Sequence, residues 1–211
     1  MLSQPLRGSE ERSMFRWPRA VFMASLPAGG LVTSGFRLAL TGTPGTGKST
    51  VARILSERGY TVISVESLAR EHECLGEVDP ADGARSVDLD MLHDSLAPGW
   101  SSPPEHPLII DGHLSHHLPS DAVAVLRCSP DVLEARLASR GYSAEKIQAN
   151  YEWELLGGAW NERERGSAWI EFDTTDSDVV SVVKSLSQWI SDGFKPASPG
   201  SVIDWVARME E

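Results

Sequence analysis

The stretch Gly42-Thr43-Pro44-Gly45-Thr46-Gly47-Lys48-Ser49-Thr50 constrains this chain more than any other. It satisfies G-x-x-x-x-G-K-[ST] without a mismatch, and its setting is right. Residues 36–40 before it are short and strand-like. After it, Val51, Ile54 and Leu55 recur at helical spacing until Gly59 ends the run. A strand, a glycine-rich turn and a helix, in that order, make a phosphate site. The glycines let consecutive backbone N–H groups turn inward around an anion, and the helix points its positive dipole end at the same place. Gly45, Thr46, Gly47, Lys48, Ser49 and Thr50 are therefore the expected ATP-binding residues. Lys48 is expected to reach the outer phosphates, and the Ser49 hydroxyl to ligate Mg²⁺.

The rest of the chain alternates strand and helix signals. Residues 60–65 read as a second strand and residues 67–71 as a short helix. A loop with Gly76, Pro80 and Gly83 follows, and residues 88–96 look helical. Leu108-Ile109-Ile110 runs without alternation into Asp111-Gly112, the pattern of a buried parallel strand, and residues 122–126 repeat it. Ser129-Pro130 opens a helix that passes through Val132, Leu133 and Leu137 to Gly141. The next begins near Ser143 and shows Ile147, Tyr151 and Leu155 on one face. Residues 169–172 read as the last strand, and Val179, Val183, Leu186 and Ile190 mark the last long helix. This order predicts an α/β fold, a parallel five-stranded sheet with helices on both faces, with the site at the carboxyl ends of the strands.

At 211 residues the chain suits one domain with trimmings. Residues 1–34 differ in composition: Arg12, Arg16 and Arg19 precede a weakly apolar stretch that Pro27 and Gly29-Gly30 break. They read as a disordered extension, residues 35–194 as the folded domain and residues 195–211 as a tail. Cys74 and Cys128 are the two cysteines, too few for a disulfide framework. That points to a reducing compartment, cytoplasmic or, in a eukaryote, nuclear. No apolar run approaches the roughly 20 residues of a membrane span. A net charge of −11 argues against sequence-specific nucleic-acid binding and favours basic protein partners.

Asp111 ends a strand, so it can lie beside the phosphate loop and hold Mg²⁺ or orient the attacking group. His113, His116 and His117 have spacing that permits a shared face, but no cysteine or acid set in the sequence completes a metal site with them. Arg136 and Arg140 stand four apart near a helix end. Arg136 reads equally well as a surface residue, whereas Arg140 sits at the helix-to-loop corner where a closing lid would place a guanidinium. Residues 66–94 hold nine acids against Arg70 and Arg85, a solvated acidic face in which an isolated arginine can hold a phosphate.

Four segments together resemble the adenylate kinase isoenzyme six family, the small archaeal or nuclear kinase-like ATPases associated with ribosome assembly. They are residues 42–50, Leu68-Ala69-Arg70-Glu71, Asp111-Gly112-His113 and Arg140-Gly141-Tyr142. The resemblance runs from about residue 36 to about residue 193. It implies a P-loop nucleoside monophosphate kinase fold. Residues 64–94 would be the monophosphate-binding region with Arg70 as a substrate contact, and residues 139–149 a short lid with Arg140. Asp111 and His113 would form an Asp-x-His motif, with Asp111 and Ser49 at the metal and Lys48, Asp111, His113 and Arg140 catalytic. The implied reaction is Mg·ATP-dependent phosphoryl transfer to AMP, with ATP hydrolysis beside it. The implied partner is a basic small-subunit ribosomal protein, and the chain is read as a monomer. A nucleotide-switched assembly chaperone and a kinase for another small metabolite are the alternatives. Glu66-Ser67 stand where that family carries Gly-Asp, and residues 157–168 match no part of it.

Overall fold

A computed structural model of the chain describes residues 35–78, 85–163, 166–199 and 202–209. The expected disordered extension, residues 1–34, lies outside the described residues. Five parallel strands form the main sheet: β1 (Arg37–Thr41), β2 (Thr61–Ser64), β5 (Leu108–Asp111), β6 (Ala122–Arg127) and β7 (Ala168–Asp173), in the order β2-β5-β1-β6-β7. Strand β1 is central and buried along its whole length, which is why its sequence does not alternate.

Helices cover both faces. Leu38 and Leu40 face α1 (Lys48–Glu57) and α7 (Val179–Ser191), whose Leu55, Val183, Leu186 and Ile190 are fully buried with them. Ala39 points the other way, into a small cluster with Val123, Val125, Trp169 and Ala159 of α6 (Gly158–Asn161). On that same side α2 (Val65–Glu71) and α3 (Leu89–Leu96) bury Leu68, Leu92 and Leu96 against Ile110. Helices α4 (Pro130–Ala138) and α5 (Ala144–Leu155) pack on each other beyond the end of β6. Cap chemistry fixes several starts: Ser64, Asp88, Ser143 and Asp178 each accept a backbone N–H from the first turn of the helix they precede.

Two stretches differ from expectation. Part of the loop around Gly76 is an antiparallel hairpin of β3 (Leu75–Val78) and β4 (Arg85–Val87), braced where Arg85 Nε donates to Gly76 O at 2.8 Å. Both strands are mostly exposed and only three to four residues long, too short to leave a period in the sequence. In the other, residues 157–168, unassigned from the sequence, Gly158–Asn161 form α6, and Trp160 meets Trp169 edge to face at 6.2 Å. The tail ends in α8 (Trp205–Met209), with Trp205 buried.

Candidate active site

The phosphate loop leaves the carboxyl end of β1 between two neighbours of unequal length. Asp111 lies level with Leu40, while β6 runs on past Thr41 to Arg127. This is the crevice at which an open α/β sheet binds ligands. Gly42 has φ 135°, and a Cβ there would sit 2.2 Å from Leu126 O, so the loop can lie this close to β6 only with glycine. Gly47 caps α1 at φ 94° with no side-chain cap, and since the Thr50 N–H already donates to Gly47 O at 3.0 Å, the N–H groups of Lys48 and Ser49 are the ones left for an anion. Thr46 is buried, and its N–H and hydroxyl both donate to Thr43 O, at 3.2 and 2.8 Å. Its side chain holds the loop's shape. Ser49 and Thr50 stand exposed at the mouth.

Lys48 folds back over this loop, donating from Nζ to Gly42 O at 2.6 Å and Thr43 O at 3.0 Å. Burial pulls its pKa down to about 8; Asp111 and Glu154 oppose that shift and Arg140 adds to it. A cation so strongly desolvated has room for an anion's charge. Burial also raises the Asp111 pKa, against the pull of Lys48, and its Oδ1 is buried with no hydrogen-bond partner. An orphaned carboxylate oxygen beside a phosphate loop fits a hard cation, and Ser49 supplies the complementary hydroxyl. His113 lies 3.1 Å from Gly42 O through Nδ1. A carbonyl only accepts, so Nδ1 carries the proton and Nε2 presents a lone pair. Burial keeps the His113 ring below its ordinary pKa, although the Gly42 hydrogen bond opposes this. Trp153 of α5 meets its ring edge to face at 5.9 Å.

The two arginines near the end of α4 have different surroundings. Arg136 donates to Gly45 O at 3.3 Å and to Thr174 O and Thr175 O, both at 3.0 Å, so it ties α4 to the phosphate loop and to the turn after β7. Arg140 lies exposed on the tight turn between α4 and α5, and among the described residues its guanidinium has no ion-pair partner. Both line a cleft of about 220 Å³ with Gly45, Gly47, Thr50, Thr174 and Val179. Arg70 projects from α2, which starts at the same sheet edge as Asp111, since Ser64 lies level with that residue. Its guanidinium pairs with Glu66 at 2.6 Å, and both side chains are about two-thirds exposed. Such a pair holds it by only about 0.5 kcal/mol, so a phosphate could take the arginine cheaply. His116 and His117, on the 3₁₀ turn Ser115–His117, are not part of this group, because the His116 ring turns away toward Thr41 and Glu162.

Sequence reasoning missed a buried network under the loop. Glu154 of α5 is 2% exposed and accepts from Thr43 Oγ1, Arg127 Nε (2.7 Å), Cys128 N (3.2 Å) and Trp205 Nε1 (3.0 Å). Arg127 also pairs with Glu171, and Ile203 N donates to Glu171 Oε2 at 2.9 Å. Phosphate loop, β6, α5 and the C-terminal tail thus meet on three buried charges. A signal was present in the sequence: Glu154 follows Ile147 by seven and Tyr151 by three, which places it on the inward face of α5.

Comparison with known proteins identifies the family. A family model described as an AAA domain matches residues 38–157. The chain is 39% identical to an Archaeoglobus fulgidus protein named "Putative adenylate kinase" over 178 residues, 82% of this chain and 94% of that one. Namesakes from Pyrococcus abyssi and Methanocaldococcus jannaschii are 36% and 33% identical, again across 82% of this chain and 93% and 94% of theirs. Among solved structures, shikimate kinase from Acinetobacter baumannii matches with a TM-score of 0.54 at 14% identity, over 76% of this chain and 96% of that one. That likeness concerns the fold.

Proposed function

The chain belongs to the P-loop family of those archaeal proteins named adenylate kinase, and from that membership we propose that it transfers the γ-phosphoryl group of Mg·ATP to AMP. The observation that carries this reading is the buried Asp111 Oδ1, unpartnered among the described residues, at the edge of a phosphate loop whose lysine, among the same residues, bonds to backbone carbonyls. The loop from Gly45 to Thr50 cradles the ATP phosphates with the backbone N–H groups that its internal hydrogen bonds leave over, and Lys48 moves from the loop carbonyls onto the transferring group. Arg140 closes on the same charge, while Arg136 and Thr174 hold the wall of the cleft beside the nucleotide. Arg70 exchanges Glu66 for the AMP phosphate. An oxygen of that phosphate attacks the γ-phosphorus, the bond to the β-phosphate oxygen breaks, and ADP leaves on each side. No covalent enzyme intermediate forms; the residues position and neutralise. Ser49 and Asp111 would hold Mg²⁺, which would supply positive charge to neutralise the phosphates during transfer.

ATP hydrolysis is the companion reaction. With Nδ1 committed to Gly42, His113 Nε2 can accept a hydrogen from a water placed where the AMP oxygen would otherwise stand. Coupled assays with AMP, with other monophosphates and without acceptor test both activities. AMP is expected to support the fastest turnover. His113→Ala should cut acceptor-free hydrolysis about 10- to 100-fold and transfer to AMP much less. Equal losses would remove the water-orienting role, and no monophosphate outrunning hydrolysis would remove the kinase.

The Lys48 pKa gives the reaction a pH signature. Below about pH 8 the free enzyme carries the charged amine that phosphate needs; above it the proton must be taken up on binding. Between pH 7 and pH 9 the KM for Mg·ATP is expected to rise about tenfold, the loss a single group of that pKa produces. A KM flat across that range would show Lys48 charged throughout.

A second role as a cytoplasmic or nuclear assembly factor is supported by the exposed acids of α2 and α3, among them Glu66, Glu71, Asp90 and Asp94. Such a surface suits a basic small-subunit ribosomal protein, which lacks its rRNA counter-charge before assembly. Arg70 stands on the same surface, so that partner and AMP would compete, with turnover of ATP as the switch.

A further inference from the structure

His116 and His117, on the Ser115–His117 turn after β5, meet Glu162 at the end of α6. His116 Nε2 lies 2.9 Å from Glu162 Oε2, and His117 Nε2 lies 3.1 Å from the same oxygen. The protons around His116 can be counted. Thr41 Oγ1 lies 2.7 Å from His113 O, a carbonyl that can only accept, so the single hydroxyl hydrogen points there. At 2.9 Å, His116 Nδ1 must then be the donor to Thr41 Oγ1. In the neutral ring this leaves Nε2 bare, with its lone pair aimed at a carboxylate oxygen that also offers only lone pairs. A cation between them, a proton or a metal ion, removes that conflict.

We propose that His116, His117 and Glu162 form a site for one divalent transition-metal ion of the zinc type, separate from the nucleotide-binding Mg²⁺. Two imidazole nitrogens and a carboxylate oxygen are a donor set such ions prefer over Mg²⁺, with water completing a tetrahedron. The three ligand atoms already lie within 4.8 Å of one another. A tetrahedral site with bonds of about 2.0–2.2 Å needs ligand atoms about 3.3 Å apart, and both histidine nitrogens already lie within a few tenths of an ångström of that separation from Glu162 Oε2. The second shell is in place: Thr41 fixes the His116 tautomer and ring orientation, as a partner to a metal-bound imidazole does. An entry path exists too, because the His117 and Glu162 side chains are 34% and 37% exposed while His116 is 1% exposed. The ion would clamp the 3₁₀ turn to the end of α6, a staple within the fold that adds no second reaction. It also gives a use to the stretch around residue 162 that the family resemblance leaves unmatched.

The test uses the full-length, tag-free protein, stripped with chelator and titrated without nucleotide with Zn²⁺ and with Co²⁺. One equivalent of Co²⁺ is expected to develop the visible bands of a tetrahedral nitrogen–oxygen site, and Zn²⁺ to displace it and raise the Tm. His117→Ala and Glu162→Gln each remove a ligand, which should weaken binding at least about 100-fold, more than loss of an outer partner does. Both are surface changes, so the metal-free Tm should hold while the Zn²⁺-induced rise disappears. His106→Ala, at an exposed histidine elsewhere, should behave as wild type. No saturation up to about 100 µM metal would overturn the site and leave a hydrogen-bonded His–Glu contact. Binding that both variants leave intact would overturn it as well, by placing the ion on other ligands.

Discussion

Lys48→Ala is expected to lower transfer to AMP and ATP hydrolysis together by at least about 10³-fold at saturating Mg·ATP. Lys48 is the charge built into the phosphate loop itself, and its amine rests on two carbonyls that phosphate oxygens would replace. The neighbouring cations do not substitute for it. Arg136 is committed to three carbonyls of the frame, and Arg140 stands on an exposed turn outside the loop. Stability should hardly change, because the substitution removes two amine–carbonyl bonds and a desolvated cation at once, two effects of opposite sign. A Tm within about 2 °C of wild type beside collapsed turnover is the expected pair of results. Turnover within a few-fold of wild type would move the phosphate site away from this loop.

Glu154→Ala should instead damage the fold. Its carboxylate joins Thr43 of the phosphate loop, Arg127 at the end of β6 and Trp205 of α8, and its side chain is 2% exposed. Truncation leaves Arg127 buried with Glu171 as its remaining carboxylate partner, and strips acceptors from the Thr43 hydroxyl and the Trp205 indole. Breaking a buried pair from one side costs about 3–5 kcal/mol, which for a chain of this size is a fall in Tm of roughly 10 °C. Thermal unfolding measures it directly, and a loss under about 2 °C would mean that water or a rearranged side chain replaces the carboxylate. Because the loop end and the tail share this one group, nucleotide affinity should fall with the Tm.

These two residues also mark how far the sequence could be read. Lys48 was legible because the phosphate loop is a local device: consecutive residues supply its glycines, its lysine and its helix start, so spacing alone describes the site. The five main strands were legible for the same kind of reason. Burial on both faces leaves β1, β5 and β6 as unbroken apolar runs, and short connections with helical periods separate them. Asp111 could be placed because the end of a parallel strand is where such a sheet keeps its ligands.

Contacts between residues distant in sequence could not be read this way. The role of Glu154 depends on Thr43, Arg127 and Trp205, which lie 111, 27 and 51 positions from it, and only the folded sheet brings them together. Periodicity put it on the inner face of α5, yet an inward acid has no meaning until its cation is known. Arg136 and Arg140 both line the cleft, and the folded chain decides that Arg136 is tied to Gly45 and the turn after β7 while Arg140 stands exposed between α4 and α5. The histidines show the same limit. Nothing within 40 residues of His116 and His117 completes a metal site with them in sequence, and Glu162 reaches them only because α5 and α6 fold back over the sheet. Local sequence fixes elements and loop chemistry because those forces act between neighbours along the chain; tertiary packing decides which distant charges share a buried volume, and with it which polar residues hold the frame and which remain free for a ligand.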